Sequence, residues 1–193
     1  MKRIFDRYDY NNLMTLADDV TYAGFRPGII ESPDGNGLLD DGKVFLHVAL
    51  KYKPPAWAEG YLARAYWEVC KVAEGLGCPY PYFPKPENST LRVLLYPPEV
   101  GSHPHRDFSL FTLTCYRDPA EAVVSDRSDG IVIGELGELV GLGPATRHHV
   151  VPSHGTQHSI VMFAMPAQDA VLPNGTSVRE WVAERSERSR YFR

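Results

Sequence analysis

Two apolar runs, each stopped by proline, constrain the fold of this chain more than any other feature. Leu91-Arg92-Val93-Leu94-Leu95-Tyr96 ends at Pro97-Pro98, and Gln157-His158-Ser159-Ile160-Val161-Met162-Phe163-Ala164-Met165 ends at Pro166. Proline has no N–H to give a sheet ladder, so both read as short strands with defined ends. Between them, Gly101 opens a turn, and His105 to Tyr116 is a further β-rich run containing Phe108, Leu110, Phe111, Thr112, Leu113 and Thr114. Short strands punctuated by turn residues suit a jelly roll. Ahead of them the pattern is mixed. A helix is expected from about Asn12 to Tyr22, a Gly/Pro/Asp loop near Pro27 to Asp41, and a strand at Lys43 to Leu50. A stronger helix is expected from Pro55 to about Glu74, where Trp57, Tyr61, Leu62, Ala65, Tyr66 and Val69 recur at helical spacing as a face to pack on the sheet. The prolines from Pro79 to Pro86 make a rigid connector.

The expected class is therefore mainly β (α+β), a double-stranded β-helix (jelly roll) core with N-terminal flanking helices. Residues 1–193 read as one domain: 1–80 a helical and mixed support, 88–168 the core, 175–193 a C-terminal helix. Hydrophobic content of 44% and charged content of 23% are ordinary for a globular chain. A net charge of −4 offers nothing to a nucleic-acid backbone. The Arg-rich end (Arg185, Arg188, Arg190, Arg193) alternates with Glu184 and Glu187, which reads as a solvated helix face. Cys70, Cys78 and Cys115 lack metal-type spacing and read as reduced thiols, Cys115 as a small buried hydrophobe. No apolar run reaches the roughly 18 residues of a membrane span, and Asp6 and Arg7 interrupt any secretion signal. A cytoplasmic location is expected.

Chemistry-bearing residues concentrate in the β region. His105-Arg106-Asp107 is followed by His148, 43 residues after His105. On a strand, side chains alternate, so His105 and Asp107 would share one face and Arg106 the other. Two imidazoles and one carboxylate can cap one face of an iron(II) ion, leaving positions for a cosubstrate and O2. His149 would face away from His148, unless a bulge exchanges the two. His103 forms a His-x-His pair with His105, but Pro104 argues for a turn there, and His154 sits in a Pro-Ser-His-Gly turn.

From Leu91 to Pro166 the chain resembles the isopenicillin N synthase-like branch of the iron(II)/2-oxoglutarate-dependent oxygenases. The likeness rests on ordered pieces: Tyr-Pro-Pro at 96–98, Gly-x-x-x-His-x-Asp at 101–107, and Thr112 five residues after Asp107. Gly134-Glu135 follows where the family usually has Gly-Asp, then Ala145-Thr146-Arg147-His148-His149-Val150, and last the Ser159 strand ending in Phe-x-x-Pro. The resemblance implies Fe(II) held by His105, Asp107 and His148, with 2-oxoglutarate as cosubstrate, O2 as oxidant and a small organic molecule as substrate. It also implies that Tyr96, Gln157 and Ser159 hold the far carboxylate of 2-oxoglutarate, although Tyr96 and Ser159 could equally be core hydrogen-bonding groups. Two departures stand out. Gln157 occupies the place of the family's carboxylate-binding Arg and brings neither its charge nor its planar fork. Arg92, on one strand face with Leu94 and Tyr96, could compensate, whereas Arg147 should point away from His148. The interval between the metal ligands is also short, as though a hairpin between Asp118 and Gly134 had been trimmed, opening the substrate side. Two alternatives stay open: an iron oxidase of the same fold that does without 2-oxoglutarate, and a non-catalytic ligand-binding barrel.

Overall fold

The computed structural model describes residues 4–18, 24–26, 42–119, 123–125 and 130–189. The first helix, α1 (Arg7–Met14), starts earlier than periodicity alone indicates, because Asp6 caps it. The Asp6 carboxylate accepts the Asp9 N–H, and the Asp9 carboxylate accepts the Asp6 N–H, at 3.0 and 2.9 Å. This reciprocal box satisfies two orphan donors of the first turn. A single 3-10 turn, Thr15–Asp18, follows. Residues 19–22 of the expected first helix, and the Pro27 to Asp41 loop, lie outside the described residues.

Helix α2 (Ala56–Gly75) matches expectation in extent but not in its inner face. Its buried stripe is Ala58, Leu62, Ala65, Val69 and Ala73, while Trp57 is exposed and Tyr61 and Tyr66 only part-buried. Small residues let the helix axis approach the sheet closely, and the aromatic rings flank the contact.

A six-stranded sheet runs in the order β1 (Phe25–Arg26), β2 (Val44–Val48), β3 (Thr90–Tyr96), β8 (Gln157–Ala164), β4 (Phe111–Asp118), β6 (Ile131–Ile133). Its paired strands are antiparallel. A second, two-stranded sheet pairs β5 (Val123–Ser125) with β7 (His148–Val150). Alternation on β8 divides the large sheet: Ile160 and Met162 join Phe5, Leu13, Leu62 and Val69 in the helix-side core. Ser159, Val161 and Phe163 turn to the opposite face, where they line a cavity. Each fully buried aliphatic on the helix side is worth roughly 1.5–3 kcal/mol of burial. On β4 a bulge falls between Thr114 and Tyr116, so that Thr114 pairs with Val161 but Arg117 pairs with Ser159. The extra residue changes which side chains face the cavity beyond that point.

The run from His105 to Tyr116 is not one strand. His105 makes an isolated bridge to His148, residues 106–110 are irregular, and β4 starts only at Phe111. Helix α3 (Glu135–Leu139) follows β6, and α4 (Val178–Ser189) closes the described chain. Ser177 and Glu180 cap α4: the Glu180 carboxylate accepts the Ser177 N–H at 2.8 Å, and the Ser177 hydroxyl accepts the Glu180 N–H at 3.2 Å. Arg185 on this helix is not a solvated charge, since it ion-pairs with Glu135 and lies over the Phe108 ring. Among the described residues no helix is long and apolar enough to cross a membrane.

Candidate metal centre and its cavity

The site is built on a two-way backbone clamp. The His105 N–H donates to the His148 carbonyl at 2.9 Å, and the His148 N–H donates back to the His105 carbonyl at 3.0 Å. This sets the two imidazoles side by side, with ring centroids 4.4 Å apart. Glycine at 101 lets the two segments approach, because a Cβ there would lie 2.3 Å from the Val150 carbonyl oxygen. Thr146 steadies the entry to His148: its N–H donates to the Ile133 carbonyl and its hydroxyl accepts the Ile133 N–H, at 2.8 and 3.1 Å.

Asp107 is positioned by a loop rather than by strand alternation. Its carbonyl accepts the Glu135 N–H from the first turn of α3 at 2.8 Å. Directly ahead, Gly134 packs so tightly that a Cβ would sit 2.0 Å from the Ser109 carbonyl oxygen and 2.9 Å from that of Asp107. The Gly-Glu pair therefore works through its backbone. Arg106, expected to point away, instead lines the rim of the cavity.

The Asp107 carboxylate is 9% exposed. Its Oδ1 lies 3.6 Å from His105 Nε2 and its Oδ2 lies 3.7 Å from His148 Nε2. The Thr112 hydroxyl donates to Oδ2 at 2.6 Å, and the Ser109 hydroxyl stands 3.0 Å behind it. The ligand atoms of His105, Asp107 and His148 all fall within 4.8 Å of one another. His105 Nδ1 is 2.7 Å from the His103 carbonyl, an acceptor only, so Nδ1 carries a proton and donates it there. Nε2 is then the ring atom that faces the carboxylate. Burial lowers the pKa of His148, against the opposing pull of Asp107, and favours its neutral form. Three ligand atoms thus come together, an arrangement that suits a divalent cation. Two imidazoles and a carboxylate with fixed tautomers suit iron(II), manganese(II) or cobalt(II).

A cavity of about 410 Å³ opens from this trio between the large sheet and the β5–β7 pair. Tyr96, Ser159 and Arg92 line it, as does Arg117, which strand alternation alone would turn away. The Ser159 hydroxyl is buried and has no hydrogen-bond partner among the described residues. Arg117, its cross-strand neighbour, makes only a long 3.4 Å contact to Thr114 and no ion pair among the described residues. Burial pulls its guanidinium down to about 10, still protonated at neutral pH. Lys43, buried, lines the cavity just ahead of β2, whose Val44 pairs with Leu95 beside Tyr96. Gln157 is buried but outside the lining: its amide donates to the Val151 carbonyl at 2.7 Å. Arg92 lies over the Phe45 and Phe163 rings and donates from Nε to His47 Nε2 at 2.7 Å. Outside the trio, His149 pairs with Val124 across β5–β7, His154 is exposed beside Glu99, and Arg147 is exposed. Cys115 is buried in the core, where burial pushes its thiol far up and leaves it no nucleophile.

No protein-family model and no curated protein matches the chain. Solved structures do. A candidate oxygenase from Shewanella oneidensis aligns over 92% of this chain and 83% of its own, at 19% identity and a TM-score of 0.61. JOX2, solved in complex with 2OG, Fe and JA, aligns over 92% and 70% at 14% identity and a TM-score of 0.60. A dioxygenase for auxin oxidation from rice aligns over 95% and 83% at 15% identity and a TM-score of 0.54. At these identities the likeness is one of architecture. The chain has the fold found in these oxygenases, one of them solved with iron and 2OG, a mainly antiparallel β structure with a few helices, and within it carries a converged His-Asp-His trio.

Proposed function

We propose that this protein is a non-haem iron(II) dioxygenase that uses 2-oxoglutarate and O2 to oxidise a small organic substrate. The observation that carries this reading is the meeting of one ligand atom each from His105, Asp107 and His148 within 4.8 Å of one another beside a cavity. The two-sheet enclosure of that cavity and the order of motifs from Tyr96 to Phe163 support a double-stranded β-helix of the isopenicillin N synthase-like branch. His105, Asp107 and His148 would hold the iron. When bound, it supplies O2 activation coupled to decarboxylation of the oxo acid, so that substrate C–H, O2 and 2-oxoglutarate end as substrate C–OH, succinate and CO2.

The chain's own part is positional. Thr112 fixes the Asp107 carboxylate, and the His103 carbonyl fixes the His105 tautomer. Arg117 and Ser159 take the distal carboxylate of 2-oxoglutarate, with Tyr96 and Lys43 at the same end of the cavity. Arg117 replaces the charge missing at Gln157 from the neighbouring strand, which removes the chief motive for a 2-oxoglutarate-independent oxidase. Phe163 and Thr112 form one row of the sheet, and Ser159 and Arg117 another four β8 residues away, about 13 Å. A five-carbon diacid and an arginine side chain together span that gap.

The test is O2 uptake with succinate measurement. Succinate should require both iron and protein. Arg117→Ala should weaken apparent 2-oxoglutarate affinity roughly 10- to 100-fold, as expected for losing a charge-assisted bond. Iron-dependent O2 uptake without 2-oxoglutarate would establish the oxidase instead, and no metal binding at all would establish a binding barrel.

A further inference from the structure

We infer that the substrate is a small organic anion whose acid group is received at the cavity mouth by Arg106; this rests on the oxygenase reading above and names its substrate class. The strand register gives the cavity two ends. Ser159 and Arg117 pair at one end, where the distal carboxylate of 2-oxoglutarate goes. Thr90, Phe163 and Thr112 form a row at the other end, roughly 13 Å away, and Thr112 ties that row to Asp107. A divalent ion on neutral imidazoles and Asp107 leaves one positive charge, and with Arg117 this matches the two negative charges of 2-oxoglutarate. The cosubstrate therefore leaves the remaining cations of the metal end, Arg106 and Lys51, unanswered. Lys43 and Arg92 line the cavity too, but each is already engaged within the protein.

Arg106 is placed to meet a ligand. It is exposed, lines the cavity, and makes no hydrogen bond or ion pair among the described residues. Its backbone is nevertheless fixed, because His105 is clamped to His148 on one side and the Asp107 carbonyl accepts the Glu135 N–H on the other. A guanidinium carried on a rigid root beside the metal ligands can close on an acid group through two parallel hydrogen bonds. Lys51, in the 3-10 turn Leu50–Tyr52 after β2, adds charge at the same end: Val48 of β2 pairs with Leu91, next to Thr90 of the Phe163 row. The Lys51 ammonium lies 4.9 Å from the Tyr52 ring centroid and makes no ion pair among the described residues. Asp107 is the only carboxylate of the lining among those residues, and it faces the two imidazoles. A neutral or cationic substrate leaves both cations uncompensated, whereas an anion complements them. Phe108, Phe163 and Met165 line this end as well and give the body of the molecule an apolar wall. A volume of about 410 Å³ is near the low end for ligand pockets, which limits the anion to a small molecule.

The experiment uses the full chain with Mn(II) and saturating 2-oxoglutarate, without O2. Binding of small aryl and alkyl carboxylates and phosphonates is measured by calorimetry against their neutral carboxamides. At low salt the better acid series should bind about tenfold more tightly than the amides, and which series leads identifies the acid group. The ratio should shrink between about 0.05 and 0.5 M salt, as expected for an exposed cation. Arg106→Met should bring it close to one while Mn(II) and 2-oxoglutarate affinities stay within about twofold. Arg106→Lys should keep a reduced preference, since charge remains without the fork. The wild-type comparison and its salt dependence need no variant, so they decide the matter even if Arg106→Met folds poorly. Amides binding as well as acids, no acid binding at all, an acid preference that Arg106→Met leaves unchanged, or acids that displace 2-oxoglutarate would each overturn the assignment and leave the oxygenase reading standing. Failure of wild-type protein to bind Mn(II) would end both.

Discussion

Replacing Thr112 with Val should weaken metal binding far more than its distance from the cation would imply. The Thr112 hydroxyl, buried at 5% exposure, donates at 2.6 Å to the same Asp107 oxygen that faces His148. A hydrogen bond to a charged group contributes about 1.5–3 kcal/mol, and leaving a buried carboxylate oxygen unpartnered removes that and frees the side chain to rotate. Groups that orient metal ligands in this way are worth roughly 10- to 100-fold in metal affinity. In the metal-free protein the same loss, about 2 kcal/mol, should lower the melting temperature of a 193-residue chain by roughly 4–8 °C. The Ser109 hydroxyl, 3.0 Å from Thr112, loses its partner as well and adds to the effect. Calorimetric titration with Mn(II) and thermal melts of the apo protein measure the two consequences separately. Thr112→Ser should recover most of the metal affinity, because the hydroxyl returns, while remaining less stable through the lost methyl. Metal affinity in Thr112→Val within about twofold of wild type would show that Asp107 is not oriented by this bond.

Other parts of the site carry their own tests. Gly134→Ala should displace the Asp107 loop, since a Cβ meets the Ser109 carbonyl at 2.0 Å, so Mn(II) binding should be lost along with several degrees of melting temperature; unchanged titration would contradict this. Burial lowers the pKa of His158, whose ring packs edge-on against Tyr10 at 4.8 Å, below its unfolded value of 6.5. The unfolded chain therefore binds more protons in that window: stability holds above pH 6.5 and declines as pH falls from there through the lowered native value. His158→Phe should flatten the pH dependence of the urea midpoint below pH 6.5, and an unchanged slope would place its origin elsewhere. Arg185→Ala, which removes the ion pair to Glu135 beside the metal loop, should cost about 1 kcal/mol of stability, read as a shift in the same midpoint.

Much of this arrangement is legible in the chain because it depends on local chemistry. Proline stops delimit β3 and β8, the Ala/Leu/Val spacing delimits α2, and the His105, Asp107 and His148 that the sequence singles out do come together, with Thr112 donating to Asp107. The misses share a different origin. Asp107 reaches the site through an irregular loop held by Glu135 and Gly134, so strand alternation points to the right residue for a reason that does not operate. Arg117 is invisible in the sequence because alternation from Thr112 and Thr114 sends it outward, and only the β4 bulge returns it to the cavity. One extra residue in a strand leaves no mark on composition or periodicity. Gln157 is the complementary case, since parity places it on the cavity face but its amide is drawn to the Val151 carbonyl. The early start of α1 follows from Asp6 and Asp9, a capping pair in which Asp takes the place of the more usual Glu.

The most direct measurement is an anaerobic titration of the metal-free protein with Fe(II), alongside His105→Ala, Asp107→Ala and His148→Ala. The wild type should bind one equivalent and gain thermal stability, roughly 2.7 kcal/mol at a free metal concentration about one hundred times the dissociation constant. Each variant should lose that equivalent. A wild type that takes up no iron, or variants that bind it as well as the wild type, would contradict the assignment of these three side chains as a metal centre.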